Sequence, residues 1–394
     1  MENRELIEME NQVHEYFMAP ISLIGRGCLE KLADYLKPMK LRKALIVSDK
    51  FLVQSGLIRR LTDTLESVGL FYVIYDGVNP NPTVNNANYG LKLFKDNGCD
   101  FLISFGGGSP HDCAKAVAFL ATNGGQINDY EGLNKLKQPS ALMISVNTTA
   151  GTGSELTRFC VITDEERHVK MTISDWRITP RIAINDATLM VDMPPSLTAA
   201  TGMDALTHAI EAYVSTNATP VTDCKALKAI ELIANHLPTA VHDGKNLHAR
   251  EMMINAAYLA GIAFNNASVG YVHSAAHQLG GFYNLPHGLC NAIMLPVVAE
   301  FNAKETQEKF RDISEAFGIK TMNMTLEQSA QAAIIAIRTL SKEVGIPVGL
   351  REVRGFNEKD IPLLAANALK DMCSLTNPRQ ATQEQMEELF RAAI

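Results

Sequence analysis

No stretch of the chain approaches the roughly 18 consecutive apolar residues that a membrane-spanning helix needs. The seven cysteines (Cys28, Cys99, Cys113, Cys160, Cys224, Cys290 and Cys373) are odd in number and never spaced Cys-x-x-Cys. That argues against a disulfide framework or a cysteine-rich zinc site and for a reducing compartment. Basic clusters are missing too: 36 Lys+Arg against 43 Asp+Glu leave a net charge of −7. A mildly acidic chain of this kind is expected to bind neither nucleic acid nor an anionic membrane surface. The first residues, Met1 to Asn11, are acidic and polar, without the basic start and apolar stretch of a secretory signal, so a cytoplasmic location is expected. Internal repeats and low-complexity tracts are absent. So are both familiar phosphate-binding patterns, Gly-x-Gly-x-x-Gly and the P-loop ending Gly-Lys-Ser/Thr.

The chain is 394 residues long, enough for two domains or three. Its 46% apolar and 20% charged residues place it with ordinary globular proteins and exclude disordered or collagen-like structure. In the first half, short apolar runs alternate with helical patterns. Lys43–Asp49, Phe71–Tyr75, Asp100–Phe105 and Ala141–Val146 read as strands, and residues 86–97 between two of them as an amphipathic helix. Such alternation predicts an α/β domain with a parallel sheet, whose ligands bind beyond the carboxyl ends of the strands. After Met193-Pro-Pro195 the strand-like runs nearly vanish. Alanine-rich stretches of helical period take over at 196–215, 222–236, 249–263 and 326–344. The expected division is an α/β domain over 1–190 and an all-helical domain over 191–394.

Two glycine-rich turns follow candidate strands. Gly106-Gly-Gly-Ser-Pro110 runs into a helical stretch, an arrangement that presents free backbone N–H groups to a phosphate; an ordinary βα turn reads the same way. Asn147-Thr-Thr-Ala-Gly-Thr-Gly-Ser154 is either a second wall of a nucleotide cleft or a threonine-rich loop that caps itself. Asp49 ends the first clear strand, where a carboxylate either holds a ribose diol or is simply solvated. It precedes the glycine turn, whereas in the ordinary dinucleotide fold the acid follows it.

The helical half concentrates metal-ligand chemistry. Asp204 and His208, and again His273 and His277, are spaced i,i+4, which puts each pair on one face of a helix; His287 follows ten residues later. Any one buried histidine can satisfy a backbone carbonyl. A cluster of them in alanine-rich helices is costly without a common partner. Imidazoles with one carboxylate suit a divalent transition metal such as Fe(II) or Zn(II), not calcium. A zinc-protease reading of His273-x-x-x-His277 fails because Ser274 stands where the general-base glutamate belongs. The remaining histidines, His14, His168, His236, His242 and His248, sit in polar surroundings, and His111 reads as a cap within the glycine turn.

Several long motifs resemble the iron-containing (group III) alcohol dehydrogenases, above all their methanol and 1,3-propanediol dehydrogenase branch. They are Gly106-Gly-Gly-Ser-Pro-His-Asp-Cys113, Asn147 to Glu155, Thr198 to Tyr213, Gly270 to Asn284, Pro286-His-Gly288 and Thr376-Asn-Pro-Arg379. The resemblance implies a dinucleotide-binding α/β domain followed by a helical metal-binding and catalytic domain. It implies NAD and one divalent ion as cofactors, Fe(II) first, with Zn(II), Mg(II) or Mn(II) as alternatives. The implied ligands are Asp204, His208, His273 and His287. Asp49, Asn81, Gly107, Gly108, Ser109, Thr148, Thr149, Thr152 and Lys170 match cofactor contacts. His277 matches a non-ligand histidine beside nicotinamide and substrate, and Asp112 and Lys115 match polar residues of the same cleft, so these three are the catalytic candidates.

The implied activity is reversible, NAD-dependent oxidation of a small primary alcohol to its aldehyde, with His277 relaying the released proton and Phe159, Phe264 and Phe282 as candidates for an apolar wall. The alternatives are a dedicated 1,3-propanediol dehydrogenase or a lactaldehyde/1,2-propanediol reductase, then a lyase like dehydroquinate synthase, then a non-catalytic NAD or metal sensor. The lyase's phosphorylated substrate would need several cations, and the segments around His208, His273 and His287 contain none. The implied partners are the alcohol and aldehyde and further copies of the chain.

Overall fold

The computed structural model describes residues 13–167, 169–353 and 355–394. In the first half, six short strands form one parallel sheet in the order β1-β9-β6-β4-β2-β3. They are β1 (Ile21–Ile24), β2 (Lys43–Val47), β3 (Phe71–Tyr75), β4 (Phe101–Gly106), β6 (Met143–Asn147) and β9 (Ile182–Asn185). The central strands are continuous apolar runs, buried throughout in β4, β6 and β9, as a sheet covered on both faces requires. The covering helices are α1 (Leu32–Leu36), α2 (Lys50–Gln54), α3 (Arg59–Ser67), α4 (Val84–Asp96) and α5 (Gly108–Asn123). Helix α4 starts at a capping box between Thr83 and Asn86. A small second sheet stands beside the first: β5 (Gly132–Leu133) pairs with β8 (Val169–Ser174), and β8 runs antiparallel to β7 (Phe159–Asp164).

Beyond Asn185 the described residues form no strand. The helices of this half are α6 (Pro195–Val214), α7 (Pro220–His242), α8 (Leu247–Ala267), α9 (Tyr271–Tyr283), α10 (His287–Ala303), α11 (Gln307–Ala316), α12 (Leu326–Glu343), α13 (Ile361–Ala368) and α14 (Gln383–Ala392). Helix α6 is buried on all sides from Thr201 to Val214, which makes it the axis of the helical core. None of the helices is long and apolar enough to cross a membrane.

The anticipated strands and helices appear within a few residues of their expected ends. The sheet also holds two strands not anticipated, β1 and β9, and the β7–β8 hairpin was not anticipated either. His111 corrects the expectation of a cap: it lies inside the first turn of α5, fully buried, with Nδ1 2.6 Å from Ser104 Oγ on β4. Burial, then the nearby Lys115 ammonium, pushes its pKa down to about 3.

Candidate metal centre and cofactor cleft

Three segments of the helical half converge at one point. Asp204 and His208 sit one turn apart on α6, His273 lies in the first turn of α9, and His287 opens α10. Ligand atoms of Asp204, His208 and His273 lie within 4.8 Å of one another, and His287 Nε2 is 3.6 Å from Asp204 Oδ1. The His208 and His273 rings stack with centroids 4.6 Å apart, and His273 and His287 follow at 5.4 Å. Phe264 covers the other side of His208 at 4.1 Å, and Phe159 packs on Phe264 at 6.0 Å. Phe282, by contrast, is exposed and lies edge-on to Tyr283. Burial pushes the pKa of His208 and His273 down to about 3 and that of His287 well below its usual value. All three rings are therefore neutral near pH 7 and offer lone pairs.

Asn291, one turn after His287, reveals what the cluster lacks. Its amide nitrogen is 2.6 Å from Asp204 Oδ1 and 3.1 Å from both His273 Nε2 and His287 Nε2. An amide nitrogen carries two hydrogens and here lies beside three polar atoms, so it cannot donate to all of them. Buried His208 Nδ1 and Asn291 Oδ1 have no partner among the described residues. A donor set of neutral imidazoles and one buried carboxylate, short of positive charge, fits a divalent transition metal.

His277, one turn along α9 from His273, is held differently. Its Nδ1 is 2.8 Å from Asp371 Oδ2, and its ring stacks on His287 at 5.5 Å. Burial raises the Asp371 carboxyl, but His277 and the N–H of Cys373 outweigh that and hold it below the usual carboxylate range. Glu211, a third turn along α6 from Asp204 and His208, binds His273 Nδ1 at 2.6 Å.

The two glycine turns meet at the carboxyl ends of β4 and β6. Gly107 precedes α5, whose first-turn N–H groups have no partner within the helix. The turns pack so closely that a Cβ on Gly107 would lie 2.9 Å from Thr149 Cγ2, and one on Gly108 3.0 Å from Thr152 Cγ2. Thr148 is tied in by its N–H to Gly106 O at 2.9 Å. Ser109 Oγ donates to Pro80 O, beside Asn81. Asn81 reaches across to the helical half, donating to Asn284 Oδ1 at 2.7 Å and accepting from Lys170 Nζ at 2.9 Å. The Lys170 ammonium also lowers the pKa of His287, so it brings one cation toward the cluster that local sequence does not. Asp49 caps α2 through Oδ1, which accepts from Leu52 N–H at 2.9 Å. Asp112 and Lys115 are engaged inside the scaffold. Lys115 Nζ donates to Ser154 Oγ (2.9 Å) and Phe159 O (2.6 Å), while Asp112 accepts from Ser154 Oγ (2.6 Å) and Val161 N–H (3.0 Å).

The structure thus brings together all five residues of the histidine–aspartate constellation and adds Glu211, Asp371 and Asn291. A signal existed for two of these: Glu211 continues the Asp204/His208 face at i+7, and Asn291 lies at i+4 from His287. Asp371 comes from 94 residues away and carried none.

Comparison with known proteins gives a consistent result. Residues 20–187 match the family model described as iron-containing alcohol dehydrogenase, and residues 198–394 match the one for the C-terminal part of the Fe-containing alcohol dehydrogenase family. Alcohol dehydrogenase 4 of Schizosaccharomyces pombe is 47% identical over 384 residues, 97% of this chain and 89% of that protein. The NAD-dependent methanol dehydrogenase of Bacillus methanolicus is 45% identical over 379 residues, 96% of this chain and 99% of that protein. A solved structure of 1,3-propanediol oxidoreductase superposes with a TM-score of 0.95 at 44% identity, covering 97% of this chain and 100% of that one.

Proposed function

The chain belongs to the iron-containing alcohol dehydrogenase family and is an oxidoreductase of alcohols, and we propose that it interconverts small primary alcohols and their aldehydes with NAD and one divalent metal ion, Fe(II) by preference. The observation that carries this reading is the convergence of Asp204, His208, His273 and His287 on one point, with the His277–Asp371 pair beside it. Those four side chains would hold the cation. Asp49, Asn81, the turns at Gly107–Ser109 and Thr148–Thr152, and Lys170 would hold the dinucleotide. When bound, the cation supplies a Lewis acid that makes an alcohol hydroxyl more acidic, and the nicotinamide supplies the hydride acceptor.

The chain's own residues do the rest. Asp371, as a carboxylate, accepts a hydrogen bond from the Nδ1–H of His277 and so leaves Nε2 with the lone pair, the form that takes up the hydroxyl proton and returns it in the reverse direction. Phe264 and Phe159 keep the imidazole cluster dry on the His208 side. Asp112 and Lys115 act at one remove: through Ser154 they fix the second glycine turn against α5 and β7. We place the domain division at 190/191, between β9 and α6, and the enzyme in the cytoplasm as a homo-oligomer.

The test is NADH formation by metal-loaded protein with methanol, ethanol, 1-propanol, 1-butanol, 1,2-propanediol and 1,3-propanediol. NADH appearing only when alcohol is present supports the reading; no NADH with any of them rejects it.

A further inference from the structure

We propose that Glu211 is the positioning residue of the metal centre, fixing His273 in the tautomer whose Nε2 presents its lone pair to the cation. The proposal rests on the metal-centre reading above. Glu211 is buried on α6, where a carboxyl group is costly unless both oxygens are engaged. Both are. Oε1 accepts the Val272 backbone N–H at 2.6 Å; Oε2 lies 2.6 Å from His273 Nδ1 and also accepts the His273 N–H at 3.4 Å. Gly270 makes the approach feasible, since a Cβ there would lie 3.0 Å from Oε1 and 2.6 Å from Asn377 Oδ1.

Burial pushes the Glu211 carboxyl up to about 7, while the backbone N–H groups of Val272 and His273 favour its ionised form. In that form the pairing is one-directional: a carboxylate only accepts hydrogen bonds, and a neutral imidazole carries one N–H. Glu211 therefore holds that hydrogen on Nδ1 and leaves Nε2 bare. Nε2 is the atom 3.1 Å from the Asn291 amide nitrogen, on the side of Asp204 and His287. A carboxylate–histidine–metal arrangement of this kind sets the tautomer and raises the basicity of the ligand. An amide cannot do the same. Gln at 211 would turn its NH2 either onto the Val272 N–H or onto His273 Nδ1. The first sets donor against donor; the second demands the other tautomer and aims an N–H at the cation.

A purely structural role is the competing account, because Glu211 also serves the first-turn N–H groups of α9. Two readouts separate them: the Zn(II) dissociation constant, by chelator competition on the full chain, and the melting temperature of the metal-free protein. For Glu211→Gln we expect Zn(II) binding weakened ~10–100-fold at a stoichiometry still rising to one ion at high Zn(II), with the chain folded. A folded Glu211→Gln protein that binds Zn(II) as tightly as wild type overturns the proposal and leaves the metal-centre reading intact. Wild-type protein that binds no Zn(II) overturns both. Should Glu211→Gln not fold, histidine ¹⁵N spectra of metal-free wild type decide the matter, with His273 assigned by its loss in His273→Gln. Protonated Nδ1 with bare Nε2 supports the proposal, and protonated Nε2 overturns it.

Discussion

Single side chains divide here into those that would hold a ligand and those that set a proton. On the proposed reading His277 is of the second kind, because its Nδ1 is taken by Asp371. His277→Ala should keep the bound metal but lose turnover ~10²–10⁴-fold, the usual weight of a general acid–base. Asp371→Asn should do the same by letting an amide N–H face Nδ1. Loss of metal from His277→Ala, measured by metal analysis, would make His277 a ligand instead. Asp49 presents one oxygen to Leu52 N–H; the other would meet the adenine ribose. Asp49→Asn keeps an N-cap and removes the charge. A 2′-phosphate beside the carboxylate sets like charges together at a cost of several kcal/mol, so the kcat/KM ratio should shift toward NADP in the variant. An unchanged ratio would return Asp49 to a purely capping role. At this scale the constellation was legible because i,i+4 spacing survives folding as one helical face. Asp371 was not, because only tertiary packing brings it to His277.

Elements carry the next layer of the account. The long buried runs of β2, β4 and β6 announced themselves as strands because both faces are covered. The four-residue β9, central in the sheet, is too short to show a pattern, and β7–β8 mixes Asp164 and Lys170 into its apolar alternation. The first turn of α5 was misread at His111 for a related reason: burial of an imidazole is decided by β4 across the layer, not by its neighbours in the chain. That burial has a consequence for stability. The folded pKa of His111 is about 3, against ~6.5 in an unfolded chain. Below ~6.5 the unfolded state takes up a proton that the native state refuses, so native stability present above that pH is lost as the pH falls toward 3. His111→Gln removes this one site. Urea unfolding of wild type should therefore lose up to ~1.4 kcal/mol per pH unit more than the variant does below ~6.5. Parallel losses in the two proteins would show that His111 titrates freely in the native fold.

Across the whole molecule, the two glycine turns and the imidazole cluster belong to opposite halves and meet only through the fold. Asn81 joins Asn284 and Lys170 across sequence separations of 203 and 89 residues, contacts that composition and periodicity cannot announce. The division into a sheet half and a helical half was legible from the change in pattern near Met193; the closeness of Lys170 to His287 was not. The central claim is that the four converging side chains of the helical half hold the divalent ion on which the reaction depends. The most direct measurement strips the protein with a chelator, then follows metal per chain and alcohol-dependent NADH formation together as Fe(II), added anaerobically, or Zn(II) is returned. The account predicts activity that vanishes on stripping and returns in step with binding of about one ion per chain, and that His273→Ala protein fails to recover at the same metal concentration. Full activity in the metal-free chain would contradict it.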